Sequence, residues 1–262
     1  MLSFFWFYIL RLRVSLVKNQ ISRVFPNMTP HEISKTTFKS FYNLIMIVFE
    51  YSYFPFNKKK IVKYTKLKNL DIVDKTIKSG KPLFFMTGHL ANGELIVFRM
   101  CLEGYKLNLI GKRVGVKFID SLLFEIRELS GLKHIPPKNG ATGIMEAAQK
   151  KEPVIFVHDQ FRHPPRGLKT TFLGLETYTN SALAFFALKT GAEVIPVDMY
   201  RENDQVVAEF MPSIPFENKF DTEEENILHM TQVYNDALEL CIKKRPQGWM
   251  WVHKRWKQPS RK

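Results

Sequence analysis

The stretch "FFMTGHLANGELIVF", residues 84–98, sets a histidine, His89, just past a run that reads as a buried strand. An acid, Glu94, follows five positions later, where a helix begins. A carboxylate hydrogen-bonded to one imidazole nitrogen fixes the tautomer and strengthens the other nitrogen as a base. Such a pair suits removal of a proton from an alcohol. Five residues of an ideal helix turn by about 500°, which leaves their side chains about 140° apart, so the two cannot share one helix face. They meet if His89 lies in the turn and Glu94 in the first helical turn, with Asn92 and Gly93 allowing the bend. No Ser or Cys stands beside them in a nucleophile-elbow context, so direct attack by an acceptor is simpler than a covalent intermediate. A chance His–acid spacing is the bland alternative, and spacing alone does not decide between them.

Two more polar residues fall at strand ends. Arg113 sits just after a strand over 105–110, and Asp159 follows a strand over 153–157. Ligands of open α/β sheets bind beyond the carboxyl ends of the strands, which gives these positions weight. Beyond Asp159, "DQFRHPPRGLKTTF" carries Arg162, Arg166 and Lys169 in what reads as a long Pro/Gly-rich loop. It is either a solvated loop or one that contacts a phosphorylated substrate.

The elements that must position these residues alternate. "KPLFFMTG", "YKLNLIG", "LKHIP", "EPVIFVHD" and "AEVIPVDMYR" read as strands. Amphipathic helices lie between them, over 70–80, 92–104, 117–131, 140–151 and 180–191. Continuous apolar strands separated by such helices predict an α/β domain with a mainly parallel central sheet flanked by helices. "QVVAEFMP" adds a hairpin partner at one edge. Thr29 and Pro30 start a helix that runs to about Tyr51. Lys58 to Lys60 read as a solvated turn, with a phosphate-facing patch as the alternative. A final helix within 223–245 is acidic at its start and basic at its end, as the helix dipole favours.

The formal net charge is +14, and it is concentrated at the ends. Residues 1–70 hold twelve Lys/Arg against two acids, and residues 242–262 hold eight and no acid. Basic ends around a mildly acidic middle suggest an anionic surface as partner. Neither end shows a zinc finger, an RNA-binding sheet signature or a recognition helix, which argues against nucleic acid. "SFFWFYILRLRVSLVK" is aromatic from Phe4 to Tyr8 but interrupted by Arg11 and Arg13, too short for a spanning helix of about 20 residues. No small-residue cleavage site follows, which argues against a signal peptide. Two readings fit: an amphipathic helix lying in a lipid interface, or a helix docked on the protein's own core. Cys101 and Cys241 fall in apolar helical patterns and read as buried free thiols.

"GHLANGE" resembles the His-x4-acid motif of the lysophospholipid and glycerolipid acyltransferase superfamily. More narrowly the chain resembles the bacterial lipid A biosynthesis acyltransferases, whose motif is typically Gly-His-x-Gly-Asn-Trp-Glu. Ala91 replaces the second glycine and Gly93 the tryptophan. The likeness continues in "FPNMTPHEISKTTFKSFYNLIMIVFE", "EPVIFVHDQ", "TTFLGLETYTNSALAFFALKTGAEVIPV" and "QGWMWVHKRWK". The resemblance implies an O-acyltransferase in which His89 is the general base and Glu94 holds it. Arg127 in "FEIRELSG", Asp159 and Arg113 are then expected at the substrate, with Arg162 and Arg166 on the loop beyond. The acyl donor implied is an acyl-carrier protein thioester, and the acceptor a hydroxyl of an anionic lipid A-type glycolipid. No metal or cofactor is implied. Residues 1–57 are expected as a membrane-associating helical region and 58–262 as the acyltransferase α/β domain, on the cytoplasmic face of the bacterial inner membrane. Other lipid acceptors, such as a lysophospholipid or an ornithine lipid, and a non-catalytic membrane-binding scaffold are the rival readings.

Overall fold

The computed structural model describes residues 11–53, 57–110, 127 and 130–257. Two helices lead: α1 (Val14–Val24) and α2 (Pro30–Tyr53). Helix α2 opens on a capping box in which Thr29 N donates to Glu32 Oε2 at 2.8 Å and Glu32 N to Thr29 Oγ1 at 3.3 Å. Then come α3 (Lys58–Tyr64), β1 (Thr65–Lys68), α4 (Leu70–Lys78), β2 (Leu83–Thr87), α5 (Gly93–Leu102), β3 (Asn108–Ile110) and β4 (Lys133–Ile135). The chain continues through α6 (Gly140–Gln149), β5 (Val154–Val157), β6 (Gly167–Phe172), β7 (Leu175–Asn180), α7 (Ala182–Thr190), β8 (Glu193–Glu202), β9 (Gln205–Phe210) and α8 (Glu223–Lys244).

Seven strands form the central sheet in the order β1-β9-β8-β2-β5-β3-β4. Every neighbouring pair is parallel except β8–β9, the hairpin legible in "QVVAEFMP". The α/β class with a mostly parallel sheet is therefore as the alternating pattern predicts. Strand β2 is buried along its whole length, because the sheet is covered on both faces. Its register sets Thr87 opposite Val157 of β5. The two strands end level, and whatever follows each of them emerges side by side.

Three sequence readings are corrected. Lys58 to Lys60 form no turn; they open α3, which is capped by Asn57 through Lys60 N at 3.1 Å and turns Ile61 into the core. The segment after Asp159 is no long loop, because β6 and β7 pair as an antiparallel two-stranded sheet. Strand β1 has no counterpart among the sequence-predicted strands. The expected helix over 117–131 lies outside the described residues, apart from Arg127, Ser130 and Gly131.

Helix α1 docks on the core. Val17 and Ile21 are fully buried in the same hydrophobic cluster as β2 and α8. Buried Gln20 donates to the carbonyls of Trp251 and His253 at 2.6 and 3.1 Å. Residues Phe4 to Leu10 lie outside the described residues. Among those described, no helix is long and apolar enough to cross a membrane. Cys241 is buried and Cys101 half-buried, and both are free thiols.

Candidate active site

His89 leaves β2 on a tight turn. Leu90 N donates to Gly88 O at 2.8 Å, and Ala91 takes a left-handed backbone with φ 40°. The final segment of the chain straps this turn down: Ala91 N donates to Gly248 O and Met250 N to His89 O, each at 3.1 Å. Asn92 then caps α5, its Oδ1 accepting from Leu95 N at 3.1 Å.

The carboxylate that meets the imidazole is Asp159, seventy residues away. Asp159 Oδ1 lies 2.8 Å from His89 Nδ1, and Oδ2 accepts from His89 N at 2.9 Å and from the Trp249 indole at 2.7 Å. The level ends of β2 and β5 bring them together: each residue stands two positions beyond a paired partner. Gly88 makes room, since a Cβ there would sit 3.2 Å from the Asp159 carboxyl carbon. Asp159 is 2% exposed. Burial alone would raise its pKa, but the His89 charge and the three donors outweigh it and hold the carboxyl below its ordinary range. An ionised carboxylate only accepts, so Nδ1 carries the proton and Nε2 presents its lone pair. Burial lowers the pKa of the His89 ring, but Asp159 and, at longer range, Glu94 overcome this and raise it above 6.5. The Gln160 amide nitrogen donates to the unprotonated Nε2 at 3.4 Å.

Glu94 does not hold His89 as the five-residue spacing suggests. It begins α5, and its carboxylate takes both Arg127 Nη2 and, at 3.3 Å, Arg127 Nε. A bidentate guanidinium claims the oxygens that the imidazole would need. His89, Glu94, Arg127 and Asp159 thus share one region in two pairs, and Asp159 supports the ring. Arg162, half-buried, and Arg166, exposed, sit on the connection from β5 to β6. Neither is among the residues lining the cavity described below. Lys169 lies on β6 and pairs with Glu176 across the hairpin at 2.9 Å. Arg113 lies outside the described residues.

Trp249 and Gln160 were not legible as site residues. The indoles of "WMW" read as core aromatics, and Trp249 is indeed 1% exposed, but its N–H is spent on Asp159. His253 reads as structural or phosphate-adjacent rather than catalytic, and its Nε2 accepts from Phe161 N at 3.3 Å beside the site.

The family model of bacterial lipid A biosynthesis acyltransferases matches residues 3–258. The chain belongs to that family. No curated protein matches it. Membership indicates an acyltransferase. A cavity of about 230 Å³ opens under the His89 turn. Leu44 and Ile47 of α2, Ile96, Val97 and Met100 of α5, and Met199 and Phe210 from the sheet make it apolar, and His89 and Glu94 are among its lining. Apolar walls with a few polar groups at one place are the usual make of a site for an apolar ligand. In this family member, Gly93 enters the cavity wall against Met199, where a Cβ would lie 3.1 Å from the methionine methyl.

Proposed function

We propose that the protein transfers a fatty acyl chain from an acyl-carrier protein thioester to a hydroxyl of an anionic lipid A-type glycolipid precursor. The reading is carried by the His89–Asp159 bond at 2.8 Å, with Nε2 left as the basic nitrogen beside an apolar cavity. The base pair in this reading is His89 with Asp159, in place of the His89–Glu94 pair that the family resemblance implies. His89 Nε2 takes the hydroxyl proton as the oxygen attacks the thioester carbonyl. The tetrahedral intermediate collapses by breaking the carbon–sulfur bond, and the imidazolium returns the proton to the departing thiolate. Asp159 stabilises that imidazolium throughout. Glu94 holds Arg127, whose guanidinium supplies donors for an oxyanion or a phosphate. Arg162 and Arg166 serve as phosphate contacts on the acceptor, with Arg113 after β3. The net charge of +14 favours an anionic acceptor and a bilayer surface. Residues 1–57 are read as the membrane-associating region, at the cytoplasmic face of the inner membrane, where a soluble donor and a lipid acceptor meet.

The test is product profiling by mass spectrometry. Acyl-carrier protein and coenzyme A thioesters are offered against a Kdo-bearing lipid A precursor, a lysophospholipid and an ornithine lipid. Transfer to the lipid A precursor from acyl-carrier protein, lost in His89→Ala at unchanged melting temperature, is expected. Transfer by a folded His89→Ala protein at the parental rate removes the mechanism. No transfer to any acceptor points to a scaffold.

A further inference from the structure

An ion pair between a buried carboxylate and a half-buried guanidinium, tied to the turn after His89, is unused by the mechanism above. Glu50, near the end of α2, is 7% exposed, and Arg201 lies near the end of β8. The guanidinium binds Glu50 bidentately, with Nη2 to Oε2 at 2.8 Å and Nη1 to Oε1, while its Nε donates to Asn43 Oδ1 at 2.8 Å. Two arms leave this centre. Glu50 Oε2 accepts from Asn92 Nδ2 at 2.8 Å. Asn43 Nδ2 donates to Gly248 O at 3.1 Å, and the same carbonyl takes Ala91 N. The arms end on adjacent residues, Ala91 and Asn92. One holds the left-handed backbone after His89, and the other holds the cap of α5.

A buried ion pair is a weak source of stability. Desolvation consumes most of its attraction, and apolar replacements of similar volume are often as stable. What such a pair supplies is fixed geometry, because a planar fork with three engaged nitrogens tolerates little displacement. Resting on the His89 base reading, we infer that Glu50 and Arg201 are positioning residues that hold the His89 turn in the geometry that acyl transfer needs. They touch neither ring nor cavity chemistry directly; they act through Asn92, Asn43 and the backbone of residues 91 and 248.

The experiment uses the full chain with lauroyl-acyl-carrier protein and a Kdo-bearing lipid A precursor. The paired substitution Glu50→Met with Arg201→Met removes both charges together and keeps the volume. Its melting temperature is expected near the parent's, with KM within about threefold and kcat lower by roughly 10–100-fold, as an ångström of misplacement costs. Arg201→Lys keeps a cation opposite Glu50 but loses the bond to Asn43, and kcat is expected to fall by roughly 3–10-fold on the same split. It decides the matter if the paired variant fails to fold. Parental kcat in either folded variant, or a loss confined to KM, overturns the positioning role while leaving the base reading intact. His89→Ala is run alongside. Activity retained there removes the base reading, and the positioning role falls with it.

Discussion

Asp159→Asn is the sharpest perturbation of the site, because Asp159 accepts from three donors and an asparagine has one oxygen. Turned toward His89 N and the Trp249 indole, the amide oxygen keeps the bonds now at 2.9 and 2.7 Å. The NH2 group then faces His89 Nδ1, which must become an acceptor, and the proton moves to Nε2. The opposite orientation sets NH2 against two buried donors and loses more. The variant therefore keeps its shape and holds the wrong tautomer, and loss of that kind lowers kcat on the order of 10⁴-fold. Exchanging a charge-assisted bond for a neutral one in a buried site costs about 2 kcal/mol, or roughly 4–8 °C in Tm for a chain of this size.

The pH dependence has a defined sign. His89 has a raised folded pKa, so its contribution to stability is full below 6.5 and fades as pH rises through the folded value. Asp159 has a lowered one, so its contribution is full above 3.8 and fades as pH falls toward the folded value. The variant is thus expected to lose most stability between pH 3.8 and 6.5, whereas parental activity needs a neutral ring and rises above 6.5. Removing the carboxylate charge moves the acid limb of residual kcat to lower pH. Turnover across pH, thermal unfolding, and nitrogen-15 shifts of His89 for the tautomer measure the three effects. Parental turnover in folded Asp159→Asn, or an acid limb that does not move, would refute the assignment of Asp159 as the partner of the base.

Gly93→Leu places a side chain in the cavity wall against Met199, and competition between acyl donors of different length is expected to favour shorter chains than the parent does. Gln20→Ala removes a buried amide that makes two bonds to the closing segment, at 2.6 and 3.1 Å. About 2 kcal/mol of stability should go with it, read by denaturant unfolding. Removal of residues 1–10, which leaves the buried Val17 and Ile21 in place, is expected to keep the melting temperature and shift the protein from anionic vesicles into the soluble fraction. Equal sedimentation of the two chains would transfer the membrane contact elsewhere.

The fold was largely legible because its signals are local. An unbroken apolar run such as "LFFMT" with amphipathic segments on either side has few solutions other than a covered parallel strand. The site was only half legible. His89 and Asp159 both stood out as polar residues at strand ends, but their partnership depends on the register of β2 against β5, which no spacing in the chain expresses. The nearest acid, Glu94, was the tempting partner, and the helix that begins at Gly93 gives it to Arg127. The β6–β7 hairpin was hidden by its turn. Leu173 and Gly174 both adopt positive φ, at 51° and 75°, as a two-residue hairpin turn demands. Leucine is an unusual first residue for it, so Leu-Gly did not announce a turn as Asn-Gly would. Three consecutive lysines read as solvent-loving, although lysine is a good helix former and Asn57 supplies a cap.

The strap formed by residues 248–250 has a consequence for how the molecule comes into being. A ribosome delivers His89 early, Asp159 later and Trp249 last of these three. Until Trp249 emerges, Asp159 lacks its indole donor, and the turn lacks the Gly248 and Met250 bonds that fix Ala91 and His89. The base is therefore assembled by contacts between distant parts of the chain, a class of contact that forms slowly because loop closure precedes reward. A nascent chain completes its first helices well before it holds an ordered His89 imidazole. Competence comes last in the making of each copy, and a chain cut short before residue 248 carries both His89 and Asp159 yet not the frame that makes them a pair.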